Sequence, residues 1–214
     1  MLQSIDLPME WVGPLWVKKY KLNKEIKKLN LGSGKFPKKG YINLDMDKNI
    51  NADIVHNLDD YPWPLPDNHF EIIEMDHILE HISDIRQTLK EIDRILINGG
   101  QVIIKVPHFS RGFTHWDHKH GFDVSFPLYF KKEISGGFKN LSLKHIKTKL
   151  IWFGQLDYKK FHLNRPSYYA GKFLGYIFDF LGNLNHYFTS KILCYWVGGY
   201  DEIKFIFQKS TEKQ

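Results

Sequence analysis

A single cysteine, Cys194, is the whole thiol content of this 214-residue chain. No intrachain disulfide can form, and a reducing cytoplasm is the compartment expected. No run of 18 apolar residues occurs, which argues against a membrane-spanning helix. The opening residues MLQSIDLPMEW carry acids and lack an apolar signal core, so no secretion signal is visible. Internal repeats and low-complexity segments are also missing. Acids are outnumbered, 24 against 30 Lys and Arg, for a net charge of +6. The lysines fall in scattered pairs, which reads first as solvated surface and second as a site for an anionic partner such as acidic lipid or glycan. No basic-aromatic motif of the usual nucleic-acid kinds is present, so nucleic acid is an unlikely partner.

What is present is a series of short apolar runs bounded by turn residues. KLNL (28–31), YINLD (41–45), ADIVHNL (52–58), FEIIEMD (70–76) and QVIIKVP (101–107) have the length and Ile/Val content of strands. The runs at 70–76 and 101–107 are nearly continuously apolar, as in strands covered on both faces. Between them Ile85, Leu89, Ile92 and Leu96 recur at helical spacing, with Ser83 as N-cap and Gly99-Gly100 as the stop. Strand, helix, strand makes a right-handed parallel crossover. LSLKHIKTKLIWFG (141–154) and DEIKFIFQKS (201–210) read as antiparallel edge strands. The expected fold is therefore α/β, a doubly wound, mostly parallel sheet. Residues 1–26 form an arm, and 27–214 a domain with a helical insertion at about 160–197. In that insertion Phe173, Ile177, Leu181, Leu184, Phe188 and Ile192 keep helical spacing. This stripe suits core packing or a partner groove, or peripheral membrane contact through 168–196.

The segment KKLNLGSGKFPKKGYINLD (27–45) holds the strongest chemical signal. Gly32-Ser33-Gly34 after the first strand offers backbone N–H groups to an anion, and Asp45 at the second strand end can accept ribose hydroxyls. A dinucleotide fold needs a helix and about 20 residues between such glycines and the acid. Here the separation from Gly34 is eleven, and Pro37 and Gly40 oppose a helix. A tight loop disfavours a pyrophosphate ligand and tolerates one whose anion is a single carboxylate. GSG alone is equally at home in a structural turn.

LNLGSG (29–34), INLD (42–45), LDDYPWPLPDNHFEIIEMDHILEHI (58–82), EIDRILINGGQVIIKVP (91–107) and EIKFIFQK (202–209), in this order, resemble the class I S-adenosylmethionine-dependent methyltransferases. The closest group is the small bacterial and archaeal type with a shortened first crossover. The resemblance implies S-adenosyl-L-methionine as cofactor. Gly32, Ser33 and Gly34 would line its methionine half, Asp45 its ribose and Met46 the adenine face. Leu58 and Asp59 would edge the adenine, and Asp76 and His77 would face the methionine side and substrate mouth. Asn30 stands where the family often has an acid, and would meet the methionine ammonium through its amide. Without a first helix the pocket is open on one side, where the segment around Trp11 and Trp16 could cover it.

HFSRGFTHWDHKHGFD (108–123) packs four histidines and an aspartate into its first thirteen residues. The resemblance makes this the substrate-side loop, where His108, Asp117 and His120 are the candidates for taking a proton from a hydroxyl as it attacks the methyl group. A metal reading stays open, since alternate residues of a short loop can converge on one ion, but the spacing is not the H-x-H-x-D-H of metallo-hydrolases. No metal is assigned. HILEH (77–81) matches the inverted zinc-protease pattern but follows directly on a strand. DMDKNINADIVH (45–56) begins like a calcium loop but has Ile50 and His56 where glycine and glutamate belong. The reading is thus a methyltransferase acting on an unidentified acceptor such as a sugar, glycolipid or metabolite hydroxyl. A binding module without catalysis and a metal-dependent hydrolase are the alternatives.

Overall fold

The computed structural model describes residues 25–112 and 115–211. The arm, apart from Glu25 and Ile26, and the covering role given to Trp11 and Trp16 lie outside the described residues. Seven strands form one sheet in the order β3-β2-β1-β4-β5-β7-β6. They are β1 (Lys28–Leu31), β2 (Ile42–Asp45), β3 (Ile54–Val55), β4 (Phe70–Asp76), β5 (Leu96–Pro107), β6 (Leu143–Ile151) and β7 (Glu202–Lys209). All run parallel except β7, which is antiparallel to both neighbours.

The register puts Leu29, Ile73, Val102 and Phe207 in one row, and Leu31, Met75, Ile104 and Phe205 in the next. All eight are buried, and they face one side. Phe126 and Phe130 of a 3-10 turn pack on Phe205 and Phe207 there. The opposite face is different. Asn43, Asn30, Glu74 and Ile103 lie along one row of it, and Ile72, Glu74, Ile103, Lys105, Lys204 and Ile206 are only half-buried. Near-continuous apolar runs thus do not mean two equally covered faces among the described residues. The reason lies in the first crossover: residues 32–41 contain no helix. Where a helix would pack, Lys38 Nζ and Tyr41 Oη each reach a Glu74 oxygen at 2.5 Å. Burial, reinforced by that carboxylate, pushes the Tyr41 phenol up to about 12.

Other expectations need correction. Helix α1 (Ile85–Ile95) is capped by Asp84, whose side chain accepts the Gln87 N–H, while the Ser83 hydroxyl donates to Asp59. Gly99 and Gly100 do not stop this helix. It ends at Ile95, and Gly99 takes a φ of +80° within β5, beside a register shift opposite Phe70 and Ile72. The run 52–58 contributes only two strand residues. Of the two late strands, only β6 is an edge; β7 inserts between it and β5, an arrangement that alternation in sequence cannot specify.

After β5 comes the short helix α2 (Phe109–Gly112), and after β6 come α3 (Leu156–His162) and α4 (Arg165–Leu184). A π-helical turn follows at Thr189–Leu193. Helix α4 lies along the edge strand: Asn183 bonds the Leu150 N–H and C=O, and Asp179 accepts the Trp152 N–H. Its buried residues are Tyr168, Gly175 and Gly182. Of the alternatives for the apolar stripe, core packing is excluded: it is exposed, with Phe173 at 65% and Leu184 at 68% exposure. No helix among the described residues is long and apolar enough to cross a membrane.

Candidate active site

Parallel pairing of β1 with β2 brings their carboxyl ends together, so the glycine turn meets Asp45. Asp45 Oδ2 accepts the Gly34 N–H at 2.7 Å, and Oδ1 accepts the Asp47 N–H at 3.0 Å. A carboxylate offers about four acceptor positions, so capacity remains for hydroxyls. Gly32 and Gly34 have φ of +65° and +51°. A Cβ on Gly32 would collide with Ile78, so this glycine lets the turn touch the segment after β4. A Cβ on Gly34 would meet nothing within 4 Å, which leaves its surroundings open to a ligand. Ser33 is buried, and its hydroxyl has no hydrogen-bond partner among the described residues.

Asn30 lies beneath this turn, buried. Its Nδ2 donates to Asn43 Oδ1 at 3.0 Å, and the Phe36 carbonyl is 3.5 Å away. Asn43 in turn accepts the Lys38 N–H at 2.7 Å. The pair braces the tight loop that replaces the helix. Met46, just past β2, is 66% exposed. Leu58 is buried and accepts the Trp63 indole N–H on its carbonyl. Asp59 accepts both the N–H and the hydroxyl of Ser83, at 2.9 and 2.7 Å. It therefore ties the segment before the cis Tyr61-Pro62 bond to the turn before α1.

At the end of β4, Asp76 accepts Lys105 Nζ at 2.7 Å. His77 takes the left-handed conformation, with φ of +55°. Its Nε2 is 3.0 Å from Glu202 Oε1 and its Nδ1 is 3.2 Å from Glu80 Oε1. Burial disfavours the imidazolium, but the two carboxylates outweigh it and hold the pKa at about 9. Glu202 is itself buried and also accepts the Gln155 N–H. No sequence signal pointed to Glu202, because it lies 125 residues from His77 and acts only through the β5–β7 pairing.

The three candidate bases occupy different settings. His108 is wholly buried, with Nδ1 bonded to the Ser110 hydroxyl and Nε2 to that of Ser190. Burial pushes its pKa down to about 4. Asp117 is partly exposed between His81 and His115. His120 Nε2 faces the Ile82 carbonyl at 3.0 Å. A carbonyl only accepts, so Nε2 carries the proton and Nδ1 the lone pair. The glycine turn, Asp45, Asp76 and His77 thus gather at the carboxyl ends of β1, β2 and β4, where doubly wound sheets bind ligands.

Residues 39–104 match the family described as a methyltransferase domain. Solved structures of the same fold include an S-adenosylmethionine-dependent methyltransferase from Mesorhizobium loti (10% identity, 86% of this chain and 90% of that one, TM-score 0.52). One from Archaeoglobus fulgidus aligns at 12% identity over 87% of each chain, TM-score 0.51. A chain of the Haloferax volcanii complex between the Trm112 methyltransferase activator and a methyltransferase aligns at 15% identity (86% and 82%, TM-score 0.51). The matched segment runs from the first crossover into β5, about a third of the chain. Beyond it the likeness is one of fold, in strand order and direction. No curated protein matches the sequence. The class I methyltransferases that the sequence resembles use S-adenosylmethionine. The Ser33 hydroxyl, the open space at Gly34 and the spare acceptor positions of Asp45 fit such a group. The Asn30 amide nitrogen is engaged with Asn43, and Asp59, with one hydrogen bond on each oxygen, keeps acceptor positions as Asp45 does.

A second concave region lies elsewhere. A groove of about 1260 Å³ runs between edge strand β6 and the end of α4, lined by Lys131, Lys144, Lys147, Lys149, Phe180 and Leu184 among others. It holds none of the residues expected to bind cofactor or acceptor.

Proposed function

We propose that this methyltransferase transfers a methyl group from S-adenosylmethionine to a hydroxyl, on a sugar, a glycolipid or a small metabolite. The observation that carries the reading is the junction of Gly32-Ser33-Gly34 with Asp45 at adjacent strand ends. When bound, the cofactor supplies an electrophilic methyl on a cationic sulfur, so the acceptor needs orientation and a place for its proton. Ser33 and the turn N–H groups would hold the methionine carboxylate, and Asp45 the ribose, with Met46 against the adenine. Asp76 and His77 border the mouth, where His77 stays protonated through neutral pH and fixes Glu202 and Glu80. His120, with its lone pair on Nδ1, is the residue best arranged to take the hydroxyl proton. Positioning in a dry site supplies much of the remaining acceleration. Calorimetric titration with S-adenosylmethionine and S-adenosylhomocysteine, beside an Asp45→Ala variant, tests the cofactor site. Micromolar binding that the variant loses is expected; a folded protein that binds neither compound contradicts the reading.

Surface chemistry supports the lipid-linked choice of acceptor. Phe173, Tyr176, Phe180, Leu184 and Trp196 are each at least 65% exposed. Beside them the β6 lysines border the groove, and the only acid lining it among the described residues, Asp179, turns to the Trp152 N–H. Lysines on an edge strand oppose pairing with another strand. An apolar face rimmed by cations suits an anionic bilayer and a lipid-linked acceptor. Flotation with phosphatidylglycerol vesicles but not phosphatidylcholine vesicles is expected. Binding to neither would remove the bilayer as partner.

A further inference from the structure

We propose that Glu80, His81 and His118 hold one divalent transition-metal ion of the zinc class. The site lies where the turn after β4 meets the loop after β5. It does not depend on the methyl-transfer reading. Each of the three residues places one donor atom within 4.8 Å of the other two. A second set, His115, Asp117 and His118, satisfies the same limit and shares His118. Asp117 joins the two sets. One of its oxygens is 3.2 Å from His81 Nδ1 and the other bonds His115 Nδ1.

The donors come from two segments that are already clasped. Lys119 N–H donates to the Glu80 carbonyl at 2.8 Å, and His120 N–H reaches the same oxygen at 3.3 Å. Lys119 Nζ donates to the Ser83 hydroxyl at 2.7 Å. A ligand set fixed in this way loses little freedom on binding an ion.

The independent observation is what these side chains lack. Glu80 is 0% exposed, yet neither of its carboxylate oxygens has a hydrogen-bond partner among the described residues. His118 Nδ1 is buried in the same state. His77 Nδ1, 3.2 Å from Glu80 Oε1, is at ion-pair distance without hydrogen-bond geometry. The His77 imidazolium balances the Glu80 charge, but the hydrogen-bonding capacity of both Glu80 oxygens and of His118 Nδ1 is unused, and buried groups in that state call for an explanation such as an ion. Two imidazoles and a carboxylate, with no thiolate, form the donor set of zinc and of iron, nickel or cobalt, with a fourth position for water or Asp117. Ligand atoms on one tetrahedral ion are roughly 3.3 Å apart, so small side-chain rotations complete the shell. The ion would fasten the acceptor-side loop to the turn that carries His77.

Metal analysis of tag-free protein and competition with a chromophoric zinc chelator test this directly. One zinc per chain is expected. His118→Ala and His81→Ala, both at partly exposed positions, should weaken binding at least tenfold, and Glu80→Gln similarly. Cobalt(II) should give a tetrahedral visible band in the parent protein and not in these variants. If Glu80→Gln does not fold, the two histidine variants carry the test. His145→Ala, on β6, is the control and should leave binding unchanged. Zinc affinity weaker than about 1 mM, or binding equal in the parent and both folded histidine variants, overturns the proposal.

Discussion

Helices α1 and α4 carry the same kind of apolar stripe in sequence, and the fold uses them in opposite ways. In α1 the stripe is the core: Leu89, Ile92 and Ile95 are all 0% exposed. In α4 the inward face is small and polar. A Cβ on Gly175 would crowd Phe153, one on Gly182 would collide with Tyr200, and Asn183 and Asp179 bond the edge strand. The large apolar groups face outward. Helical periodicity therefore identifies a face but not what covers it. The glycines were the overlooked signal, since Gly171, Gly175 and Gly182 also recur at helical spacing and mark the side where another surface comes close.

That contrast is open to direct attack. Leu89→Ala in α1 should cost about 2–5 kcal/mol in denaturant unfolding, the range for a buried leucine. A cost under 1 kcal/mol would mean that α1 is not core. A pH titration of stability probes the join between the insertion and the β5 loop. His108 has its folded pKa depressed to about 4, below the unfolded value near 6.5. Its contribution is complete above pH 6.5 and is lost as pH falls towards 4, by up to about 3 kcal/mol. His108→Gln should flatten that slope. Gly182→Leu should cost about 1–3 kcal/mol by forcing α4 off Tyr200. Phe180→Ala, on the outward face of α4, should change stability by no more than about 0.5 kcal/mol. A loss comparable to that of Leu89→Ala would show that the outer face is packed after all.

The left half of the sheet was largely legible. β1, β2 and β4 fall within a residue of their apolar runs, and Pro37 with Gly40 correctly excluded a crossover helix. What hid was whatever depended on distant pairing. The position of β7 inside the sheet brings Glu202 to His77. The π-helical turn brings Ser190 to His108. HILEH and HWDHKH, read separately in the sequence, come together only because the loop after β5 folds onto Glu80. The contacts of Asn30 with Asn43 and of Asp59 with Ser83 were hidden in the same way. Spacing along the chain carries none of these contacts.

The central claim is that the glycine turn, and not the groove at β6, receives the cofactor. Hydrogen exchange with and without S-adenosylhomocysteine separates the two. The account predicts slowed exchange in the segments around Ser33-Gly34, Asp45-Met46 and His77, with residues 144–149 unchanged. Protection confined to 144–149 and the end of α4, or none anywhere at saturating ligand, would contradict it.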